Sequence, residues 1–79
     1  MAEMEFDKPN WALLEAMGGP ELSEQFMWMW RQSGIEFFKH IDTRRYLLLD
    51  SSGRCYRQTE AGFEPMDVET ELKRVKGEV

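Results

Sequence analysis

The stretch RYLLLDSSGRCYRQTEAGFEPM, residues 45–66, decides the fold. Arg45 to Asp50 reads as a strand run that ends in Asp50-Ser51-Ser52-Gly53, where two residues suited to a type I turn precede a glycine suited to the left-handed position of a bulged hairpin. Counting outward from that loop sets Asp50 opposite Arg54, Leu49 opposite Cys55, Leu48 opposite Tyr56 and Leu47 opposite Arg57. A second glycine-terminated loop of the same length, Glu60-Ala61-Gly62, sets Thr59 opposite Phe63, Gln58 opposite Glu64 and Tyr56 opposite Met66. Both counts place Leu48, Tyr56 and Met66 in one cross-strand row, so the sequence predicts a three-stranded antiparallel meander. Pro65 cannot donate a ladder hydrogen bond, which assigns the third strand to an edge.

Downstream of the meander, Asp67 is suited to cap a helix over Val68 to Val75, with Val68, Glu71, Leu72 and Val75 on one side and the three apolar residues packing on the sheet. Upstream, Asn10 is suited to cap a helix carrying Trp11, Leu14 and Met17 on one face, and Gly18-Gly19-Pro20 stops it. Pro20, with Glu21 and Glu24 near the positive end of the helix dipole, then starts a second, longer helix. Its apolar stripe is Leu22, Phe26, Met29, Trp30 and Ser33, at spacings suited to a helix, and Gly34 ends it. Residues 34–43 read equally as helix, loop or strand, and Met1 to Asp7 as a tail or a short edge strand. The expected fold is therefore α+β: N-terminal helices, a three-stranded antiparallel meander and a C-terminal helix packed in two layers. It forms one small domain over residues 1–79, with 1–7 and 76–79 as loosely held ends.

Seventy-nine residues bury about 60 to 65% of their unfolded surface, so stability is expected to be modest. Three tryptophans beside five phenylalanines and two tyrosines still supply enough apolar area for a folded core. A single cysteine, Cys55, excludes an intramolecular disulfide, and with His40 as the only histidine it leaves no zinc cluster of the usual kind. A reducing, cytosolic setting is the expectation. The longest uninterrupted apolar segment, Phe26 to Trp30, is far shorter than the roughly 20 residues that cross a bilayer, and no membrane association is expected.

The net charge is −5, distributed as −5 over residues 1–30, +3 over residues 31–57 and −3 over residues 58–79. A basic centre between acidic ends disfavours long-range attraction to nucleic acid and allows steering toward a protein of mixed charge. No phosphate-binding glycine loop, dinucleotide fingerprint or serine nucleophile elbow is present, and no cofactor is expected. Asp50, Glu60, Glu64 and Asp67 fall at turns and a cap without calcium-loop spacing, so no metal site is expected either. His40 and Asp42 share a face if they lie on a strand, where they form a conceivable proton-transfer pair, but no nucleophile or oxyanion-stabilising group accompanies them. Cys55, across from Leu49, reads as a small apolar filler.

Two groups compete for a binding role. Arg45 and Arg57 project from the face opposite the Leu48-Tyr56-Met66 row, with Tyr46 nearby, and guanidinium groups pair bidentately with carboxylates or phosphates. Met27, Trp28 and Trp30 come from an aromatic helix whose stripe turns Trp28 about 160 to 200° away from its neighbours, toward a second element, a sister subunit or solvent. Tryptophan, methionine and arginine are enriched at interface cores. These features point to a non-enzymatic protein-interaction module, with homodimer formation as one form of it. The alternatives are an acidic inhibitor or regulator of a nucleic-acid-handling complex, of phage or mobile-element type, and a small enzyme using His40 and Asp42.

Overall fold

A computed structural model describes residues 8–78 and the backbone of Met4 and Glu5. In chain order the elements are β1 (Met4–Glu5), α1 (Ala12–Ser23), β2 (Phe26–Gln32), β3 (Ile35–His40), β4 (Tyr46–Asp50), β5 (Cys55–Thr59), β6 (Gly62–Met66) and α2 (Val68–Lys76). Each strand pairs antiparallel with the next, giving one sheet in the order β1 to β6 beside two helices, an α+β fold. The remaining residues of the expected loose ends, 1–3, 6–7 and 79, lie outside the described residues.

The largest departure from expectation is at Phe26–Gln32, which forms a strand and not the second half of a helix. Ser33 and Gly34 both take positive φ, 54° and 76°. Positive φ at both central residues is the mark of a type I′ turn, whose twist matches that of paired strands. The turn sets Gln32 opposite Ile35 and commits both flanks to a hairpin. Residues 35–40, open between helix, loop and strand in the sequence, thereby become β3. Because asparagine tolerates the left-handed region better than serine, Ser33→Asn is expected to raise stability by about 0.5 kcal/mol. A Cβ at Gly34 meets nothing within 4 Å, so Gly34→Ala suffers backbone strain alone, about 1 kcal/mol. Urea midpoints of the two variants moving in opposite directions check the turn.

The helical break at Gly18-Gly19-Pro20 forms as the sequence predicts. Gly18 (φ −157°) and Gly19 (φ 75°, ψ −175°) leave helical geometry, and the helix beyond them lasts only to Ser23. The expected Asn10 side-chain cap does not form; Trp11 occupies the cap position without a side-chain bond. Leu14 and Leu22 of α1 are buried against the sheet, with Trp11, Leu13 and Met17 packed around them.

The first counted hairpin holds, with Leu48 opposite Tyr56 and Leu49 opposite Cys55. Gly53 takes φ 88°, its amide donates to the Asp50 carbonyl at 3.0 Å, and Asp50 N–H donates to the Arg54 carbonyl at 3.0 Å. The second count is corrected by one residue. Thr59 pairs with Gly62 across a two-residue loop, and the Thr59 hydroxyl closes it by accepting from Ala61 N–H at 3.2 Å and donating to the Gly62 carbonyl at 3.3 Å. A one-residue slip exchanges the faces of a strand. Tyr56 therefore lies opposite Pro65, Met66 lies opposite Cys55, and the predicted Leu48-Tyr56-Met66 row becomes Leu48-Tyr56-Pro65.

Helix α2 begins as expected, with Asp67 accepting from Thr70 N–H at 3.0 Å. That bond and a second from the Thr70 hydroxyl hold the Asp67 carboxyl below its usual range. Val75 is fully buried, and so is Glu71, the one residue on that helix side that the sequence reading kept off the sheet. Both helices cover the same sheet face. Leu14, Leu22 and Val75 join Phe26, Phe38, Leu47, Leu49 and Cys55 in one cluster there. The cluster on the other face, centred on Ile35, Phe37 and Leu48, contains strand residues only.

A candidate binding face and cleft

The helix-free face is built by strand alternation and one irregularity. Trp28 lies opposite Phe38, but Trp30 lies opposite Phe37, so Met29 is an extra residue in β2. Such a bulge puts two successive residues on one side of the sheet. Met29 and Trp30 both pack with Ile35, Phe37, Leu48, Tyr46, Tyr56 and Phe63 on the helix-free side. Trp30 stacks on Phe37 with ring centroids 4.8 Å apart and 23° between planes. Tyr46 and Phe63 meet Phe37 edge-on at 6.4 and 6.1 Å. Lys39 Nζ stands 5.8 Å from the Tyr46 ring centroid, and Met27, the partner of Lys39 across β2 and β3, is 39% exposed.

Strand β4 and strand β5 part company in the middle of this face. Their pairing is limited to Leu49–Cys55 and Leu48–Tyr56. The expected Leu47–Arg57 pair is absent, and so is the next hydrogen-bonded position, Tyr46 opposite Gln58. The Tyr46 carbonyl accepts instead from Arg74 Nη2 of α2, at 3.2 Å. A cleft of about 370 Å³ occupies the gap. Its walls are Trp30, Phe37, Tyr46, Leu48 and Tyr56, and Arg57, Gln58 and Arg74 complete the lining. Arg57 and Arg74 belong to the helix side, so the cleft is lined from both sides of the sheet.

Glu71 holds those two arginines. Arg74 Nη2 donates to its Oε1 at 2.9 Å, and Arg57 Nη2 donates to its Oε2. Burial by itself raises the Glu71 carboxyl, but the hydrogen bonds and charges of Arg74 and Arg57 outweigh it and hold the group below its usual range. At the hairpin end, Asp50 accepts from the Ser52 hydroxyl at 2.7 Å, the Tyr56 hydroxyl at 2.8 Å and the amides of Ser52 and Arg54. The Ser52 hydroxyl is the largest cause of an Asp50 carboxyl lowered to about 2.

The six residues singled out from sequence divide between the two faces. Met27, Trp30 and Tyr46 lie on the helix-free face. Trp28 does not: as a strand residue it turns with Phe26 toward the helices, and its indole N–H donates to Glu36 Oε1 at 2.7 Å. Arg45 and Arg57 share the opposite face from Leu48 and Tyr56, as expected, but that face is the helix-covered one. Arg45 Nη1 donates to the Arg74 carbonyl near the end of α2, which also accepts from the Gly77 N–H at 3.2 Å. Sequence reasoning missed Phe37, Phe63, Glu71 and Arg74. Ile35 and Phe37 alternate after Ser33-Gly34, and Glu71 and Arg74 are three residues apart on a helix; those were the available signals.

His40 and Asp42 are not brought together as a pair. Buried His40 accepts at Nδ1 from the amides of Asp42 (3.2 Å) and Thr43 (3.3 Å), so Nε2 carries the proton toward Gln25 Oε1 at 3.3 Å. The ring ties the β3–β4 turn to the end of α1, and the exposed Asp42 carboxylate takes no part. Burial, followed by the charge of Glu71, pushes the Cys55 thiol up to about 12. Native Cys55 is therefore expected to resist a disulfide-exchange reagent at pH 8 and to react at the free-thiol rate in urea, a difference followed by absorbance. Among the described residues, no three His, Cys, Asp or Glu are grouped to hold a metal ion, and no helix is long and apolar enough to cross a membrane. No family model matches the chain, and neither a curated protein nor a solved structure matches it.

Proposed function

We propose that the chain is a protein-interaction module whose helix-free sheet face, centred on the β4–β5 cleft, docks another protein. The observation that carries this reading is the one-sided placement of the helices. Trp30, Phe37, Tyr46, Tyr56 and Phe63 pack together in a cluster to which, among the described residues, neither helix contributes an apolar side chain. Tryptophan, tyrosine and arginine are enriched at interface hot spots, and here they surround a concave site. Charge separates the partner classes. A net charge of −5 opposes a nucleic-acid backbone. A second copy docked about a two-fold axis sets the same patch, with both cleft arginines, against itself. A foreign protein of mixed charge, with its acidic groups confined to the contact with the cleft arginines, avoids the self-opposition and meets less long-range repulsion.

The test is affinity capture from the source cell, with mass spectrometry identifying one stoichiometric partner, followed by reconstitution of the purified pair. Trp30→Ala combined with Phe63→Ala is expected to weaken that complex at least about tenfold, while Glu69→Ala combined with Lys73→Ala on the outer side of α2 leaves it unchanged. Circular dichroism checks that both variants fold. Equal binding by the two double variants overturns the assignment of the face. A wild-type chain whose mass by light scattering is that of a dimer, returning to monomer with the aromatic variant, replaces the foreign partner with a second copy.

A further inference from the structure

We infer that the β4–β5 cleft recognises an acidic-aromatic segment of the partner, an aromatic side chain seated on the cleft walls beside a carboxylate that meets Arg57 and Arg74. This inference rests on the docking role of the helix-free face and adds the chemistry of what enters it.

Three observations converge on that chemistry. The walls are flat and apolar: Trp30 stacked on Phe37, with Tyr46 and Tyr56 beside them, which suits a planar ring. Among the described residues, the only charged ones lining the cleft are the two arginines. Their side chains are 44% and 35% exposed, whereas the Glu71 carboxylate that links them is closed to solvent at 1%. One carboxylate against two guanidinium groups leaves a positive charge there. Glu64, opposite Arg57 across β5 and β6, is solvated and offsets it only weakly. Arg57 uses one nitrogen on Glu71, so the rest of its donor fork remains for a planar acceptor.

The third observation is the interrupted ladder. Where Tyr46 and Gln58 fail to pair, their gap-facing amides have no strand partner, although the Tyr46 carbonyl has found Arg74. Backbone donors facing a concave site beside a guanidinium are suited to a carboxylate oxygen. A phosphate group carries more charge than this site neutralises, since Glu71 sits directly behind the arginines.

The probe is N-acetyl-Glu-Phe-amide, compared with its neutral counterpart N-acetyl-Gln-Phe-amide, titrated into the full chain and followed by amide and arginine side-chain NMR shifts. The acidic probe is expected to move the Tyr46 and Gln58 amides, the Trp30 indole and the Arg57 and Arg74 Nε–H signals. The neutral probe is expected to bind about tenfold more weakly. Arg57→Gln is expected to remove the difference between the two probes, and Arg57→Lys, which keeps the charge beside Glu71, to restore part of it. Equal affinity for both probes, no shift at these residues, or stronger binding by thymidine monophosphate at the same signals overturns the inference. If the partner complex is lost with the Trp30 and Phe63 variant but survives Arg57→Gln, the docking face stands and the acidic-aromatic segment does not.

Discussion

Glu71→Ala is expected to destabilise the fold by about 3 kcal/mol, measured as the loss in urea-extrapolated unfolding free energy at pH 7. The carboxylate is fully buried and accepts from both Arg57 and Arg74, so its removal leaves two cations facing each other beneath the β4–β5 gap. Breaking a wholly buried pair costs about 3 to 5 kcal/mol, and the partial exposure of both guanidinium groups places this case at the lower end. Arg57→Ala is expected to cost much less, because Arg74 still satisfies the carboxylate. Acid gives the same result by another route. Glu71, Asp50 and Asp67 all have folded-state pKa values below their unfolded ones. Their contribution is therefore present above about pH 4 and is lost as the pH falls through the folded values, about 2 in the case of Asp50. The urea midpoint should hold at mildly acid pH and drop below about pH 4, and Glu71→Gln should make that drop shallower.

The second large effect belongs to Phe38→Ala, expected to cost about 4 kcal/mol. Phe38 is fully buried at the centre of the helix-side cluster, with ring centroids 5.4 Å from Trp11 and 6.4 Å from Phe26. Removing it opens a cavity that joins the start of α1 to the sheet, where helix and strands cannot both relax inward. For a chain of this size the loss is a large part of a total of roughly 4 to 12 kcal/mol. The expected outcome is a melting temperature lowered by tens of degrees, and a milder loss for Phe38→Leu.

The carboxyl half was the legible half. Asp50-Ser51-Ser52-Gly53 has one natural turn solution, and Asp67 a side chain with one natural use, so local chemistry and tertiary structure agreed there. The run Phe26 to Trp30 was misread because a fully apolar stretch fits helical and strand spacing alike. Methionine and leucine favour helices, but the decision lay downstream, in the two residues Ser33-Gly34 that force a hairpin. The second loop failed for a finer reason. Glycine at its end suggested a bulge, whereas the Thr59 hydroxyl tightened the turn by one residue and exchanged Met66 for Pro65 on the helix-free face. Glu71 was legible only as a charge at an awkward helical position, since the two arginines that make its burial tolerable come from different elements.

The same misreadings governed the site. Three of six candidates reached the helix-free face, and Trp28 left it as soon as the helix became a strand. The cleft itself had no sequence signal, because it is made by pairs that do not form. Arg57 was singled out for its exposed guanidinium, yet its position depends on a buried carboxylate that pattern reading kept away from the sheet.

In a meander each strand is held only by the strands before and after it, so the sheet has no second path around a weak joint. That joint is β4–β5, paired at two positions where β3–β4 is paired at five. Helix α2 spans it, with Arg74 on the Tyr46 carbonyl of one side and Glu71 on Arg57 of the other. Release of α2 therefore frees β5 and β6 together while β2, β3 and β4 remain joined, which divides the molecule into two units of unequal resistance to local unfolding. Ligand occupying the cleft would bridge the same two units, and so would slow amide exchange in β5 and β6 far more than in β3.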